Sequence, residues 1–329
     1  MSVAVIGAGA WGTALAKQVA DVGYDVKLWC LEDAVASSIR DRAENELFLP
    51  GVTLPGRVVA TTELAEAVAG SDVIVLVVPS QFLRRVLGEL APHVSDSQRF
   101  VSATKGIEEG SLLRMSQVVH EVLPFATDVT AISGPSFAKE VARGEPTALV
   151  AASRHESSRA EVQRRFSSPH FRIYTNDDVI GVELGGALKN VIAVAAGVAS
   201  GLGLGHNPKA ALMARGLAEI SRLAVAMGGN RETLLGLSGV GDLVLTCTGE
   251  LSRNRTVGVA LGEGRPLDEI LGSMQQVAEG VRTTHAAVAL ARRHFVEMPI
   301  AFQMERLLAG EVDAKGAMAA LVERPLKAE

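Results

Sequence analysis

The first half of the chain alternates short, nearly continuous apolar runs with stretches of helical spacing, and this alternation limits the fold more than any other feature. Apolar strands separated by helices in this way predict an α/β domain with a mostly parallel sheet that helices cover on both faces. The predicted strands are VAVIG (3–7), DVKLWC (25–30), RVVATT (57–62), DVIVLVVP (72–79), FVSATKG (100–106), VTAISGP (129–135), ALVAAS (148–153) and FRIYTND (171–177).

The strand-like runs stop near residue 177, and Ala, Leu, Gly and Met at helical spacing dominate the rest of the chain. We therefore predict two domains, an α/β domain over residues 1–177 and an all-α domain over residues 178–329. The most apolar helical stretch, residues 191–205, is 15 residues long, which is too short to span a bilayer comfortably. It predicts a buried core helix and no membrane span.

Composition and charge narrow the class of protein. The 329 residues are 48% apolar, which is enough for two packed domains and incompatible with overall disorder. A net charge of −5 at pH 7 argues against nucleic acid as the main partner. Cys30 and Cys247 allow at most one disulfide and no framework, and free thiols suit a reducing cytoplasm. The first strand begins at Ser2 or Val3, so we expect no signal peptide before it.

A glycine-rich run, GAGAWG, follows the first predicted strand and opens the first predicted helix. In that context glycines permit a tight turn, close backbone approach to a pyrophosphate and close packing of helix on strand. The run therefore predicts a dinucleotide site, although the same spacing also occurs in strand-to-helix turns that bind no ligand. Its candidate residues are Gly7, Gly9, Ala10, Trp11 and Gly12.

The end of the second predicted strand bears on the choice between NAD and NADP. An acidic side chain there would accept a hydrogen bond from the ribose 2′-hydroxyl of NAD, whereas a basic one would accommodate the 2′-phosphate of NADP. The chain has Glu32 and Asp33, and no Lys or Arg follows until Arg40. This favours NAD. The alternative is an ordinary acid pair at a helix start, which the helix dipole also favours.

Two further strand ends carry candidate residues. Lys105 follows one apolar run, and Gly134, Pro135 and Ser136 follow the next, just before a helical stretch. Ligands of such sheets bind at the carboxyl ends of the strands, and N–H groups at a helix start could hold an anion or a cofactor ribose. The alternatives are a solvated surface lysine and an ordinary helix cap.

Lys189 is the only Lys or Arg between Arg172 and Lys209, and it lies in a helical stretch that is otherwise nearly apolar. Desolvation lowers the pKa of a lysine toward neutrality, which would suit a general acid or base. Asn190 beside it offers both a donor and an acceptor. The alternative is a lysine that extends past its apolar neighbours into solvent.

Polar residues in GVGDLVLTCTGE and near residue 280 form a further group of candidates. Asp242 and Thr246 are four residues apart and would share one face of a helix. Glu279 is predicted to lie in a loop beside Gly280, from which it could reach a cofactor hydroxyl or carboxamide.

The run SRNR predicts an anion site at a helix start. Ser252 would cap the helix, and Arg253, Asn254 and Arg255 would fill its first turn. Cations there oppose the helix dipole unless an anion binds, and arginine supplies a fork of donors for phosphate oxygens. The run therefore predicts a phosphate on the substrate. The alternative is pairing of the arginines with a surface acid such as Glu250.

Metal chemistry is not predicted. The seven histidines are scattered without the spacing of metal ligands. No G-x-S-x-G run is present, and neither cysteine has a histidine nearby in sequence.

Seven segments carry a resemblance over essentially the whole chain, in order: GAGAWGTALA, the PS of VVPS, SATKGIE, ISGPSFAKE, ELGGALKNVIA, GVGDLVLTC and SRNR. Together they resemble bacterial NAD(P)-dependent glycerol-3-phosphate dehydrogenases. The resemblance implies a Rossmann-type domain followed by a helical domain, and interconversion of dihydroxyacetone phosphate and sn-glycerol 3-phosphate with NAD or NADP. It also implies a supply of glycerol 3-phosphate for phospholipid synthesis, a cytoplasmic location and a homodimer.

The resemblance also assigns roles to residues. Lys189 would exchange a proton with the C2 oxygen of the substrate, Lys105 would polarise that oxygen, and supporting polar residues would be Asn190, Asp242 and Thr246. The implied substrate contacts are Lys105, Gly134, Ser136, Lys189, Asp242, Ser252, Arg253 and Asn254. The implied cofactor contacts, besides the glycine-rich run, are Trp11, Pro79, Lys105, Ala138, Arg253, Val277 and Glu279.

One departure and two alternatives accompany the resemblance. Many members of the family carry a basic residue after the second strand, where this chain has Leu31 and Glu32, and this again favours NAD. One alternative is a related dehydrogenase of the hydroxyacid or ketopantoate reductase type, which would not need the SRNR cluster. The other is a regulator that binds NAD(H) without chemistry, which would not need a buried proton donor.

Overall fold

The computed structural model describes residues 2–274 and 277–325. Contacts divide the chain into two compact units. The first is formed by Met1–Lys105 and Leu113–Glu183, and the second by Gly106–Leu112 and Leu184–Glu329. The domain boundary predicted between residues 177 and 178 stays a prediction.

An eight-stranded sheet forms the centre of the first unit. The strands of the unit are β1 (Ser2–Ile6), β2 (Asp25–Trp29), β3 (Glu44–Asn45), β4 (Leu49–Thr53), β5 (Val58–Thr61), β6 (Val73–Leu76), β7 (Arg99–Ser102), β8 (Val129–Ser133), β9 (Thr147–Ala152) and β10 (Phe171–Asn176). The sheet has the order β10-β9-β8-β7-β6-β1-β2-β5, and every pairing is parallel except that of β8 with β9. This confirms the mostly parallel sheet. The antiparallel pair β3–β4 lies outside it and was not predicted.

Helices cover both faces of this sheet. They are α1 (Ala10–Asp21), α2 (Asp33–Arg42), α3 (Leu64–Val68), α4 (Leu83–Leu90), α5 (Met115–Val122), α6 (Ala138–Ala142) and α7 (Glu156–Phe166). Val3 and Val5 of β1 share an apolar cluster with α1, α2, α6 and α7, whereas Ala4 and Ile6 share another with α3, α4 and α5. Because successive side chains of a strand point to opposite faces, both faces need apolar residues, and the strands read as continuous apolar runs.

The described residues after β10 form helices and no strand, as predicted for the second half. The helices are α8 (Val179–Gly201), α9 (His206–Ala226), α10 (Arg231–Leu234), α11 (Asp242–Thr248), α12 (Arg253–Gly262), α13 (Leu267–Gly272), α14 (Glu279–Arg293), α15 (Pro299–Leu308) and α16 (Ala314–Val322). A π-helical turn, Leu237–Gly241, leads directly into α11.

Helix α8 is longer than the sequence predicted. It has 23 residues, and it begins 12 residues before the predicted stretch 191–205 and ends four residues before that stretch does, at Gly201. Its most apolar window has a mean hydropathy of 1.6, so by length and composition it could cross a membrane. However, 89% of that window is buried inside the protein. A helix that is apolar on all sides is typical of a protein core, and the predicted core helix is confirmed.

Strand β1 lies where the strand order of the sheet reverses direction. The chain continues from β1 to β2 on one side and later returns to β6 on the other. Ligands of such sheets bind outside the carboxyl ends of the strands at this point. The carboxyl ends of β2, β1, β6, β7 and β8 share one edge, and the predicted residues Glu32, Gly7, Pro79, Lys105 and Gly134 follow them in that order.

Candidate active site

The glycine-rich run forms the turn between β1 and α1. Gly7 has φ +116°, and a Cβ on it would lie 2.8 Å from the carbonyl oxygen of Val77, so no other residue fits there without strain. A Cβ on Gly12 would lie 1.8 Å from the carbonyl oxygen of Gly7. Gly12 therefore lets the start of α1 pack against the end of β1, and Gly7 lets this turn approach the segment that follows β6.

Gly9 differs from its two neighbours because it faces open space. It is the N-cap of α1 and has no side-chain cap, and nothing lies within 4 Å of where its Cβ would be. The first N–H groups of a helix have no partner inside the helix and are suited to bind an anion. The indole Nε1 of Trp11, in the first turn, is buried and has no hydrogen-bond partner among the described residues. This cradle fits the pyrophosphate of a dinucleotide.

Glu32 and Pro79 lie on either side of this cradle in the strand order. Glu32 is exposed and is the N-cap of α2, directly after β2. Leu31 beside it is 61% exposed. Pro79 is exposed and precedes the 3-10 turn Ser80–Phe82 that follows β6. Both residues are thus at the same sheet edge as the cradle and accessible to a ligand.

Lys105, Gly134 and Ser136 meet at one carbonyl group. The Nζ of Lys105 and the Oγ of Ser136 each donate to the carbonyl oxygen of Gly134, at 3.0 Å in both cases. Gly134 has φ +135°, and its Cβ would lie 2.9 Å from a side-chain carbon of Leu149. Helix α6 begins shortly afterwards at Ala138. The first unit therefore brings together three of the predicted substrate contacts.

Lys189 is buried within the second unit and does not extend into solvent. It is 6% exposed. Its Nζ donates to Thr246 Oγ1 at 2.7 Å and to Asn190 Oδ1 at 3.1 Å, and it lies 3.3 Å from Asp242 Oδ1. Because three oxygen atoms surround the ammonium group, its charge is compensated although it lies in an apolar helix.

Asp242 and Thr246 share one face of α11, as their spacing predicted. Thr246 Oγ1 donates to the carbonyl oxygen of Asp242 at 2.6 Å, and both residues are at least 96% buried. The π-helical turn before Asp242 packs closely on α8, since a Cβ on Gly185 would lie 2.5 Å from the carbonyl oxygen of Ser238. Such turns are frequent at functional sites.

The start of α12 carries the predicted phosphate residues. The side chain of Ser252 caps this helix by accepting from the N–H of Arg255 at 3.3 Å, which confirms the predicted cap. Arg253 is exposed at the first position and lies within electrostatic range of Glu279. Ser252 and Asn254 on either side of it are buried. The first N–H groups of a helix and an exposed guanidinium are both suited to bind an anion.

Glu279 is placed differently from what the sequence suggested, whereas Asn254 lies in the first turn of α12 as predicted. Glu279 is the first residue of α14, so its predicted position in a loop is wrong. The helix begins there because Asn254 Oδ1 accepts from the N–H of Gly280 at 2.8 Å, which satisfies a donor that the helix itself leaves unpaired. Val277, two residues earlier, is 39% exposed.

Glycines join α8 and α12 at van der Waals distance. A Cβ on Gly258 would lie 2.0 Å from the carbonyl oxygen of Val194 and 2.9 Å from the Cα of Gly197. Gly201 and Gly262 meet in the same way one turn further along. This glycine interface fixes the helix of Lys189 against the helix of Arg253. Sequence reasoning missed it, although glycines four residues apart on two apolar helices were a visible signal.

Within residues 2–274 and 277–325, no three His, Cys, Asp or Glu side chains are grouped so as to hold a metal ion. The expectation that the protein needs no metal stays a prediction. Burial raises the pKa of the Cys247 thiol, close to Lys189, to about 12, so it carries little thiolate.

The chain has a cradle for a dinucleotide in one unit and a buried lysine in the other, all-α unit. These two features are typical of an NAD(P)-dependent dehydrogenase. The family model described as the N-terminus of NAD-dependent glycerol-3-phosphate dehydrogenase matches residues 2–159, and the model of the C-terminus matches residues 178–319. The chain therefore belongs to the NAD-dependent glycerol-3-phosphate dehydrogenase family.

Similar proteins agree with this membership. A glycerol-3-phosphate dehydrogenase (NAD(P)+) of Koribacter versatilis is 54% identical over 331 residues, covering 99% of this chain and 98% of the relative. One of Geobacter sulfurreducens is 53% identical over 329 residues with the same coverage. A crystal structure of glycerol-3-phosphate dehydrogenase from Coxiella burnetii matches with a TM-score of 0.94 and 41% identity, covering 98% of this chain and 99% of that one.

Proposed function

We propose that the protein interconverts dihydroxyacetone phosphate and sn-glycerol 3-phosphate by hydride transfer with NAD(H) or NADP(H). The observation that carries the proposal is Lys189, a lysine buried in an apolar helix and surrounded by three oxygen atoms. The relatives in Koribacter versatilis and Geobacter sulfurreducens, which are named for glycerol 3-phosphate, suggest the substrate. The product would supply phospholipid synthesis.

Lys189 is the general acid of the reduction and the general base of the oxidation. The reduced nicotinamide, when bound, supplies the hydride that adds to the C2 carbonyl carbon. The Lys189 ammonium gives a proton to the oxygen of that carbonyl, so the alcohol forms without a free alkoxide. Asp242 balances the ammonium charge, while Thr246 and Asn190 fix the direction of the Nζ–H bonds.

Ser252, Arg253 and Asn254 are proposed to hold the substrate phosphate, because a helix start and a guanidinium meet there. Lys105, Gly134 and Ser136 are further proposed substrate contacts, supported by the carbonyl group that they share. The proposed cofactor contacts are Gly7, Gly9, Ala10, Trp11, Gly12, Glu32, Pro79, Lys105, Ala138, Arg253, Val277 and Glu279.

NAD is proposed as the preferred cofactor. Glu32 is exposed at the end of β2, where the ribose 2′-hydroxyl of NAD would find an acceptor and a 2′-phosphate would meet a like charge. The protein is further proposed to be a cytoplasmic homodimer. Light scattering of the purified protein tests the dimer.

The decisive experiment mixes the protein with dihydroxyacetone phosphate and either NADH or NADPH, and follows the absorbance of the reduced nicotinamide. We expect turnover with both cofactors and a lower KM for NADH. The variant Lys189→Ala should lose turnover by a factor of at least about 100, because the proton donor is removed, while binding NADH normally, because the glycine-rich cradle of the first unit is unchanged.

A matched control is Lys315→Ala, which removes an exposed lysine from α16. It should turn over like the native protein. Reduction of a 2-oxoacid without phosphate, with none of dihydroxyacetone phosphate, would contradict the proposed substrate. Near-normal turnover of Lys189→Ala would contradict the proposed acid.

A further inference from the structure

Asn45 of β3 is a buried amide with every polar atom in use. It is 1% exposed. Its Nδ2 donates to the carbonyl oxygen of Ala8 at 2.8 Å and to Thr13 Oγ1 at 2.8 Å. Its Oδ1 accepts from the N–H of Phe48 at 3.0 Å. Because the amide oxygen already faces a donor, the network allows only one orientation of this side chain.

The hydroxyl of Thr13 completes a closed triangle around the Ala8 carbonyl. Thr13 Oγ1 accepts from Asn45 and donates to the carbonyl oxygen of Ala8 at 3.2 Å. Both Ala8 and Thr13 are buried, at 4% and 0% exposure. The carbonyl oxygen of Ala8 is therefore held on the inner side of the glycine-rich turn by two donors.

The orientation of the Ala8 carbonyl group also determines the direction of the Gly9 N–H group. A trans peptide is planar, so the C=O of Ala8 and the N–H of Gly9 point in opposite directions. With the oxygen directed at Asn45, the Gly9 N–H points outward. Gly9 is exposed, and the space where its Cβ would be is open. An anion can approach the backbone there without obstruction.

We propose that Asn45 is a positioning residue of the dinucleotide cradle, which turns the Ala8–Gly9 peptide so that its N–H faces the cofactor pyrophosphate. The proposal rests on the cofactor of the proposed function and not on its substrate. Without the Asn45 donor, the plane of the Ala8–Gly9 peptide can flip. Its carbonyl oxygen would then face the phosphates and repel them. The β3–β4 hairpin thereby acquires a role, since it places Asn45 beneath the turn.

The test compares two isosteric changes of buried amides. Asn45→Asp keeps the shape but replaces both donors with an oxygen facing the Ala8 carbonyl. Gln18→Glu is the matched control, because Gln18 is 8% exposed on the same helix α1 and its Nε2 also donates two hydrogen bonds, to Phe166 O at 3.0 Å and Ser168 Oγ at 3.1 Å. These lie away from the turn.

The first readout is the NADH dissociation constant, measured by quenching of tryptophan fluorescence. The second is whether a variant changes KM for NADH, kcat or both. We expect Asn45→Asp to weaken NADH binding on the order of tenfold, with kcat at saturating NADH largely retained. Gln18→Glu should lower Tm comparably and leave the dissociation constant within about twofold. Thr13→Val, which removes one donor to Ala8, should weaken NADH binding by an intermediate factor.

Two results would overturn the proposal: NADH binding by Asn45→Asp at native affinity, or equal weakening by both isosteric variants, which would indicate a purely structural role. If Asn45→Asp does not fold, Thr13→Val alone decides through the same dissociation constant. A native protein that binds NADH but leaves dihydroxyacetone phosphate unreduced would contradict the proposed function and leave this proposal standing.

Discussion

The hydroxyl group of Thr246 orients the ammonium group of Lys189. It accepts from Lys189 Nζ while its own proton is committed to the carbonyl oxygen of Asp242. An ammonium group can only donate, so this hydroxyl is the acceptor, and it keeps its own buried hydrogen bond at the same time. The position of Nζ is thus set by a side chain whose orientation is set by the backbone of its own helix.

We predict that Thr246→Val lowers kcat by roughly ten- to hundredfold, the effect of losing one hydrogen bond to a charged group. KM for NADH should stay unchanged. Thr246→Ser keeps the hydroxyl and should stay close to the native rate. The matched control is Thr248→Val on the same helix, where the hydroxyl donates to Val244 O at 2.8 Å in an exposed position. Equal losses in both valine variants would refute the role of Thr246.

At the scale of the elements, helices α8 and α12 contact each other through glycines, which have no side chains. With glycines at the contact, backbone meets backbone, and neither helix has a flexible side chain there that could yield. The distance between Lys189 and the start of α12 consequently depends on the absence of a Cβ at the contact. The glycines concerned are Gly197, Gly201, Gly258 and Gly262.

We predict that Gly258→Ala destabilises the protein by at least about 2 kcal/mol, because the new methyl group would overlap backbone atoms of α8. Gly88→Ala in α4 is the control, since nothing lies within 4 Å of its Cβ position. That change should be neutral or stabilise by up to about 1 kcal/mol through helix propensity. Thermal unfolding measures both; a native Tm for Gly258→Ala would contradict the tight contact.

Glu219 links α9 to α15 through a buried carboxyl group. It is 2% exposed and accepts from the N–H groups of Ile300 at 2.8 Å and Ala301 at 3.3 Å. Burial raises its pKa from 4.5 to about 7, against the opposing effect of these N–H groups and of Arg222 and Arg324. Because the folded protein holds this proton more tightly than the unfolded chain, stability is highest below the unfolded pKa and falls as the pH rises toward the folded one.

We therefore predict that Glu219→Gln flattens the decrease in Tm between about pH 5 and about pH 7.5, since the amide keeps one acceptor but does not titrate. Glu263→Gln, which changes an exposed acid after α12, is the control and should keep the native profile. A variant Glu219→Gln with the native pH dependence would show that this carboxyl group does not titrate with folding.

At the scale of the whole molecule, each of the two units contains one cysteine. Cys30 is fully buried in the first unit and Cys247 is 4% exposed in the second. Burial raises the pKa of each thiol to about 12. Neither thiol can react without an opening of the unit that contains it.

We predict that the native protein reacts with a thiol reagent far more slowly than the unfolded chain. The single-thiol variants Cys30→Ala and Cys247→Ala then report the opening of each unit separately. NADH should slow the labelling of Cys30, because a ligand that binds only the folded state stabilises it. Rapid labelling of either native thiol would contradict its burial.

The sequence allowed much of this architecture to be predicted because buried strands and helices need apolar residues. Lys189 could be found for the same reason, since an isolated cation in an apolar helix requires partners. The hairpin β3–β4 was missed because β3 is only two polar residues long and β4 is interrupted by Pro50 and Gly51. Asn45 left no pattern, since its role depends on a contact with a segment 37 residues earlier in the chain. Glu279 was misplaced because Asn254, far away in sequence, caps its helix.

The central position of β1 affects how the chain is made. β1 leaves the ribosome before the two strands that flank it, and one of its edges pairs with β2. The other edge stays unpaired until β6 has been made, and β6 begins at Val73, about 70 residues after Ile6. At roughly 5–20 residues per second of synthesis, that edge stays unpaired for about 4–14 s. One edge of this apolar strand is thus exposed to wrong pairing during translation, until β6 has been made.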